Sequence, residues 1–152
     1  PSKEELFLEV FKSGLDRLET EIAAILAAKE QPRKSLERLL QALLGALGGQ
    51  LAALRLLTDD QSTVMRRWRN EFRRRRRPIV DAARQILEAG VASGDFRPID
   101  LEAVPSMLIG IVRGGLIGAQ GMPAERFGMA MIDLVTHALL AKVEAKAQQA
   151  AE

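Results

Sequence analysis

Cysteine and tyrosine are absent from the 152 residues, and histidine and tryptophan occur once each. Without cysteine there are no disulfides, zinc–thiolate sites or thiol nucleophiles, and the single His137 leaves too little for a histidine-built metal site or a catalytic triad. No glycine-rich phosphate loop, nucleophile elbow or paired-carboxylate motif is present either, so we expect no enzyme, no metal and no cofactor. Aromatics make up only 4% of the chain, β-branched residues are sparse, and no window alternates apolar and polar residues with a period of two. A sheet protein is thereby excluded. The longest apolar stretch, 107–122, contains Arg113 and is too short and too polar to span a bilayer, so no membrane partner is expected. The chain opens Pro1-Ser2-Lys3-Glu4-Glu5 without a basic-then-apolar leader, which together with the missing cysteines fits a cytoplasmic protein.

What is present is 47% hydrophobic and 28% charged, the balance of one globular domain over residues 1–152 that buries about two-thirds of its unfolded surface. The formal charge of +2 hides a local excess. Residues 66–77 hold eight arginines and one acid, +7, so the other 14 basic and 19 acidic residues sum to −5. Such a run can neutralise phosphates, with Trp68 and Phe72 as stacking surfaces. At helical spacing, however, Met65, Trp68, Phe72, Ile79 and Ala83 fall on one apolar face, which turns the aromatics inward and spreads the arginines over the solvated side. Arg75 or Arg76 must then sit near the apolar face and find an acidic partner or snorkel outward.

Apolar residues recur at helical spacing nearly everywhere, which predicts an all-α bundle of five to six helices. The first runs from Ser2, an N-cap with Glu5 completing a capping box, to about Ala28. A second starts at Pro32 and is expected to end at Gly48-Gly49, with a short segment over 50–57 after it. Thr58-Asp59-Asp60 supplies turn chemistry before a long helix over 62–93, with Pro78 inside it and a kink expected there. Gly94 ends that helix, and Asp100 is the expected N-cap of a fifth segment reaching about Gln120, although Pro105 allows a start a few residues later. A last helix covers 124 to about 146, with Phe127, Met131, Leu134, Ala138 and Ala141 on one side.

Three features resemble the TetR family of bacterial transcriptional regulators, specifically its effector-binding and dimerisation part. The opening Pro1-Ser2-Lys3-Glu4-Glu5-Leu6-Phe7 is similar to the join between the family's helix-turn-helix reader and its connecting helix. The tract Ile86-Leu87-Glu88-Ala89-Gly90-Val91-Ala92-Ser93-Gly94-Asp95-Phe96-Arg97-Pro98-Ile99-Asp100 resembles a recurrent long-helix ending. The closing helix pair is similar to the family's dimerisation pair. The resemblance implies a homodimer whose last two helices form a four-helix core with their mates. It implies a regulator, with repression the expected sign, that senses a small, largely apolar effector between the first and middle helices and relays occupancy to DNA through an amino-terminal reader. No tract of these residues matches that reader; residues 1–7 resemble its end, and Lys3 matches a family lysine near the DNA backbone.

Stripe geometry offers as pocket candidates Phe11, Leu15 and Leu18 of the first helix, Leu43 and Leu47 of the second, Trp68, Phe72 and Ile86 of the long helix, and Met107 and Ile111 of the fifth segment. Ser106, Gly110, Gly114 and Gly118 recur every four residues with Gly115 beside them, and each interior glycine costs a helix about 1 kcal/mol relative to alanine. Close helix packing is the expected compensation. The dimer candidates are therefore Ser106, Gly110, Arg113, Gly114 and Gly118, with Phe127, Met131, Leu134, His137 and Ala138 of the last helix. Arg113 is expected to pair with Asp133 or Glu125, or else to hold an effector carboxylate. The alternative function is a stand-alone helical protein that binds nucleic acid without sequence preference through the 66–77 run.

Overall fold

The computed structural model describes residues 2–54, 61–118 and 122–141. They form α1 (Lys3–Ala28), α2 (Pro32–Leu54), α3 (Gln61–Ser93), α4 (Val104–Gly118) and α5 (Ala124–Leu139), an all-α fold. The last helix ends at Leu139 and not near 146, because Leu140 takes an extended backbone (φ −58°, ψ 140°) and pairs with Phe96; the expected turn at 58–60 and the side chains of Met65 and Trp68 lie outside the described residues.

The capping box forms as expected: the Glu5 backbone N–H donates to Ser2 Oγ at 3.2 Å, and the Ser2 N–H donates to Glu5 Oε2 at 2.8 Å. Two donors that the first turn leaves unpaired are thus satisfied. Phe7, Phe11, Leu15, Leu18, Ile22 and Ile25 then make one buried stripe. Lys29, in a left-handed conformation (φ 47°), closes the helix. Pro32 opens α2 as expected, but Gly48-Gly49 does not end it; the helix continues to Leu54, and no separate segment begins at 50. Leu36, Leu39, Leu40, Leu43 and Leu47 are all buried. This packing outweighs the propensity cost of two glycines, about 2 kcal/mol.

Shared neighbours fix the directions. Ile25 and Leu26 of α1 meet Pro32 and Ser35 of α2 at one end, while Val10 and Gly14 face Gly45 and Ala46 towards the other, so the two helices are antiparallel. α3 runs parallel to α1, since Arg75 reaches Asp16 and Glu19 while Ile86 lies by Ile25. α4 packs on α2 and α3, and α5 on α2 and α4; among the described residues neither packs its backbone against α1.

The corner between α3 and α4 explains the long-helix ending singled out in the sequence. Gly94 takes φ +75° just past Ser93, a conformation that suits glycine. The chain then folds the Phe96 ring back onto Gly90, where a Cβ would lie 2.0 Å from Phe96 Cδ2. The Phe96 N–H donates to the Gly90 carbonyl at 2.9 Å, and the Arg97 N–H to the Leu139 carbonyl at 2.9 Å. Arg97 Nε donates to the Ala138 carbonyl at 2.7 Å, and the Ala141 N–H donates to the Asp95 carbonyl at 3.1 Å. Carbonyls at the end of α5 are thereby paired, and a guanidinium sits where the helix dipole favours it. Phe96 and Leu140 form an antiparallel bridge.

α4 begins at Val104 rather than at Asp100. The Asp100 carboxylate instead caps the preceding turn, accepting from the backbone N–H of Glu102 at 2.9 Å and of Ala103 at 3.0 Å. α5 turns a different face inward from the one expected: Gly128, Met131, Val135 and Leu139 are buried, whereas Leu134 and Ala138 are exposed. Both stripes fit helical spacing, and the one that ends in two branched side chains, Val135 and Leu139, buries the more apolar surface.

Candidate functional site

α1 is the element with two unlike flanks. On the α3 side, Arg75 donates from Nη1 to Asp16 and, at 3.5 Å, to Glu19, and from Nε to Glu71 at 3.1 Å. The Asp16 hydrogen bond and the nearby carboxylates raise the Arg75 pKa further against the cost of burial. An arginine from the middle of the run therefore docks on α1 through an acid cluster, as the sequence required of Arg75 or Arg76; Arg76 is exposed.

On the α2 side lies an open groove of about 420 Å³ lined by Val10, Gly14, Arg17, Leu18 and Glu21 of α1 and by Gln41, Ala42, Gly45 and Ala46 of α2. Its volume is within the usual range for a small-ligand site. The aliphatic side chains supply the apolar lining, and Arg17 and Glu21 supply charge. A Cβ added at Gly45 would meet nothing within 4 Å. A second cleft of about 350 Å³, at the far end of α1, is lined by residues including Ile25, Lys29, Glu30, Ser35 and Gln85. There, hydrogen bonds from Lys34 and Arg38 hold the Glu30 carboxyl below its ordinary range.

The expected pocket residues divide. Phe11, Leu15, Leu18, Leu43, Leu47, Phe72 and Ile86 come together, but as packed core, each 5% exposed or less. Only Leu18 also borders the α1–α2 groove, and Ile86 the second cleft. Met107 and Ile111 do not join them, being 59% and 45% exposed. α4 is apolar on nearly every side, so two stripes compete, and the inward one is Leu108, Ile109, Val112 and Leu116.

The expected dimer residues divide as well. Gly110, Gly114 and Gly118 are exposed, and a Cβ at any of them would meet nothing within 4 Å. With Met107 and Ile111 they form one outward strip of α4. Leu134, His137 and Ala138 are exposed on α5. Ser106 is half-buried. Met131 is core at 4% exposed, and Phe127 is spent within the chain, its ring filling the space over Gly115, where a Cβ would lie 2.0 Å from Phe127 Cζ. Arg113 is half-buried with its guanidinium 5.8 Å from the centre of the Phe72 ring, a cation–π contact. His137 Nδ1 lies 2.8 Å from the Asp133 carbonyl and 3.1 Å from its carboxylate, on the surface. Among the described residues no cluster could hold a metal ion, and no helix is long and apolar enough to cross a membrane.

Sequence reasoning missed the groove and the roles of Phe96 and Arg97. The groove is marked by Gly14 and Gly45, two glycines on facing helices, a signal visible only once the helices are paired.

Comparison with known proteins adds three findings. The model of the tetracyclin repressor-like C-terminal domain matches residues 29–114, more than half of the chain. Among solved structures, a Clostridium perfringens protein assigned as a regulator of fatty acid metabolism superposes with a TM-score of 0.60 at 15% identity, over 93% of this chain and 79% of its own. That likeness is one of fold. No curated protein matches the chain.

Proposed function

Because the chain belongs to the tetracyclin repressor-like C-terminal domain family, a domain of transcriptional regulators, we propose that it is the homodimeric sensor of such a regulator, binding a small, largely apolar effector and relaying occupancy along α1 to a DNA-reading domain. Repression is the expected sign. The observation that carries the reading is the α1–α2 groove, since an occupant there touches the helix that starts at Lys3 and leads towards the expected reader. A ligand that fits one placement of α1 better than another shifts the population by its differential affinity. On the opposite flank, ion pairs and hydrogen bonds through Arg75 tie α1 to α3 beside the buried apolar stripe. Dimerisation is assigned to the outward strip of α4 with the exposed face of α5, where Gly110, Gly114 and Gly118 leave room for a second helix to approach. Lys3, exposed in the first turn of α1, is the candidate backbone contact to DNA.

The role assigned to the Clostridium protein makes acyl carboxylates the first compounds to try, with Arg17 placed to pair with the carboxylate. Thermal unfolding of the chain with fatty acids of eight to sixteen carbons, and with the matching alcohols, tests this. A ligand at 100 times its Kd adds about 2.7 kcal/mol, or roughly 5–10 °C for a domain of this size. Gly45→Leu fills the groove with a better helix former, so it is expected to fold and to abolish the shift. A series without any shift, or an equal shift in the variant, would remove the groove as the sensor site.

A further inference from the structure

We infer that the outward side of α3 is a binding surface for the phosphate backbone of double-helical nucleic acid, separate from any reader joined at α1. Seven of the eight arginines in 66–77, all but Arg75, are exposed. Arg66, Arg69, Arg73, Arg76 and Arg77 follow one another at helical spacing along one side, a strip about 16 Å long. That length matches about five phosphates of one strand at 3.4 Å each.

The strip is not an ordinary solvated face. At the start of α2, exposed bases pair with acids one turn away: Arg33 with Glu37 at 3.1 Å and Lys34 with Glu30 at 2.8 Å. Among the described residues the one ion pair any of the seven makes is Arg77 with Asp81, at 4.0 Å, and Glu71, one turn from Arg67 and Arg74, is engaged by Arg75. They neighbour one another instead, in the pairs 66–69, 69–73, 73–76, 73–77 and 74–77. Like charges at such a spacing weaken a helix, so the isolated chain carries a repulsion that a polyanion relieves. The rest of the chain sums to −5, so net charge for solubility does not call for the run.

Nucleic acid fits better than a lipid surface. A helix that lies on a membrane presents apolar side chains beside its basic ones, whereas here Phe72 and Ile79 are 3% and 0% exposed. Guanidinium groups also match phosphate oxygens in bidentate fashion. Phosphates held by fixed arginines release counterions without base contacts, so no sequence preference is expected.

Fluorescence anisotropy of the chain with a labelled random 25-base-pair duplex tests this. Five phosphate contacts predict a log–log salt slope of about −4.5, a loss of about 500-fold between 50 and 200 mM salt. The triple variant Arg69→Glu, Arg73→Glu, Arg76→Glu is expected to lose at least about 100-fold at 50 mM salt. Arg69→Lys, Arg73→Lys, Arg76→Lys, which keeps the charge, should stay within about fivefold of the parent. Arg69→Gln, Arg73→Gln, Arg76→Gln stands in if the reversed variant fails to fold, with a loss of about tenfold or more expected. Weak or salt-insensitive binding, or binding that survives charge removal, overturns the inference. So does equal affinity for polyglutamate or for vesicles of phosphatidylserine and phosphatidylcholine, which would assign the strip to an acidic protein or to a membrane.

Discussion

Gly90 and Gly115 are each filled by an aromatic ring of the same chain, Phe96 and Phe127, whereas Gly110, Gly114 and Gly118 look out onto open space. In both regions glycines interrupt a helix at a cost of about 1 kcal/mol each, yet only at the first two does the chain itself return something for it. A glycine met by a buried ring is explained by the fold, whereas nothing within the protomer calls for the glycines of the α4 strip. The corner of α3 thus shows glycines that the fold itself requires, and the outward strip of α4 shows glycines that no contact within the protomer requires.

The largest expected effect breaks the corner. Phe96 is 2% exposed, and Phe96→Ala should cost about 3–5 kcal/mol, read as a lowered denaturant midpoint. Ile111→Ala, on the open strip, should change the isolated protomer by less than about 0.5 kcal/mol. Equal losses at the two sites would erase the distinction between them.

Gly90→Ala should come next, at about 1–3 kcal/mol, because the Cβ would collide with a ring that is held between α3 and the end of α5. Combined with Phe96→Leu, which vacates the ring edge, the loss should be smaller than the sum of the two single losses, the sign of a direct contact. Strict additivity in a double-mutant cycle would show that Gly90 is needed for some other reason.

Much of this was legible in the sequence, and the misreadings share one physical cause. The five helices, the Ser2–Glu5 box, the turn at Gly94 and an arginine of the run seeking an acid follow from local rules of capping, periodicity and charge, and the structure has them. Faces were less legible where a helix has two apolar stripes. Met107 and Ile111 lie outside, and Leu108, Ile109, Val112 and Leu116 inside; Leu134 yields to Val135 on α5 in the same way. Periodicity gives the angle between side chains, whereas the choice of stripe is made by neighbours distant in sequence. Gly48-Gly49 read as a helix end for the same reason, since the packing that carries α2 through them comes from other helices.

On the open strip the expectation has opposite signs in two measurements. Gly114→Ala adds a Cβ where nothing lies within 4 Å, so the protomer should gain about 0.5–1 kcal/mol of helix stability. If the strip is the dimer surface, the same methyl holds two helices apart, and the dimer measured by sedimentation should weaken as the protomer's stability rises. A variant that is more stable and equally dimeric would place the interface elsewhere.

The smallest effect concerns the cap that follows the corner. The backbone N–H groups of Ala103 and Glu102 hold the Asp100 carboxyl below its ordinary 3.8, so on acidification the unfolded chain takes up this proton before the folded one. Its contribution is therefore complete above the unfolded value and is lost as the pH falls through the lower, folded one. Asp100→Asn keeps an acceptor for the same N–H groups and caps nearly as well. It should leave the melting temperature at pH 7 almost unchanged and flatten the decline below about pH 4. Glu30, lowered by Lys34 and Arg38, contributes with the same sign from the start of α2, so some decline must persist in the variant. An unaltered acid limb in Asp100→Asn would mean that the turn into α4 is held by the corner's packing and not by its carboxylate.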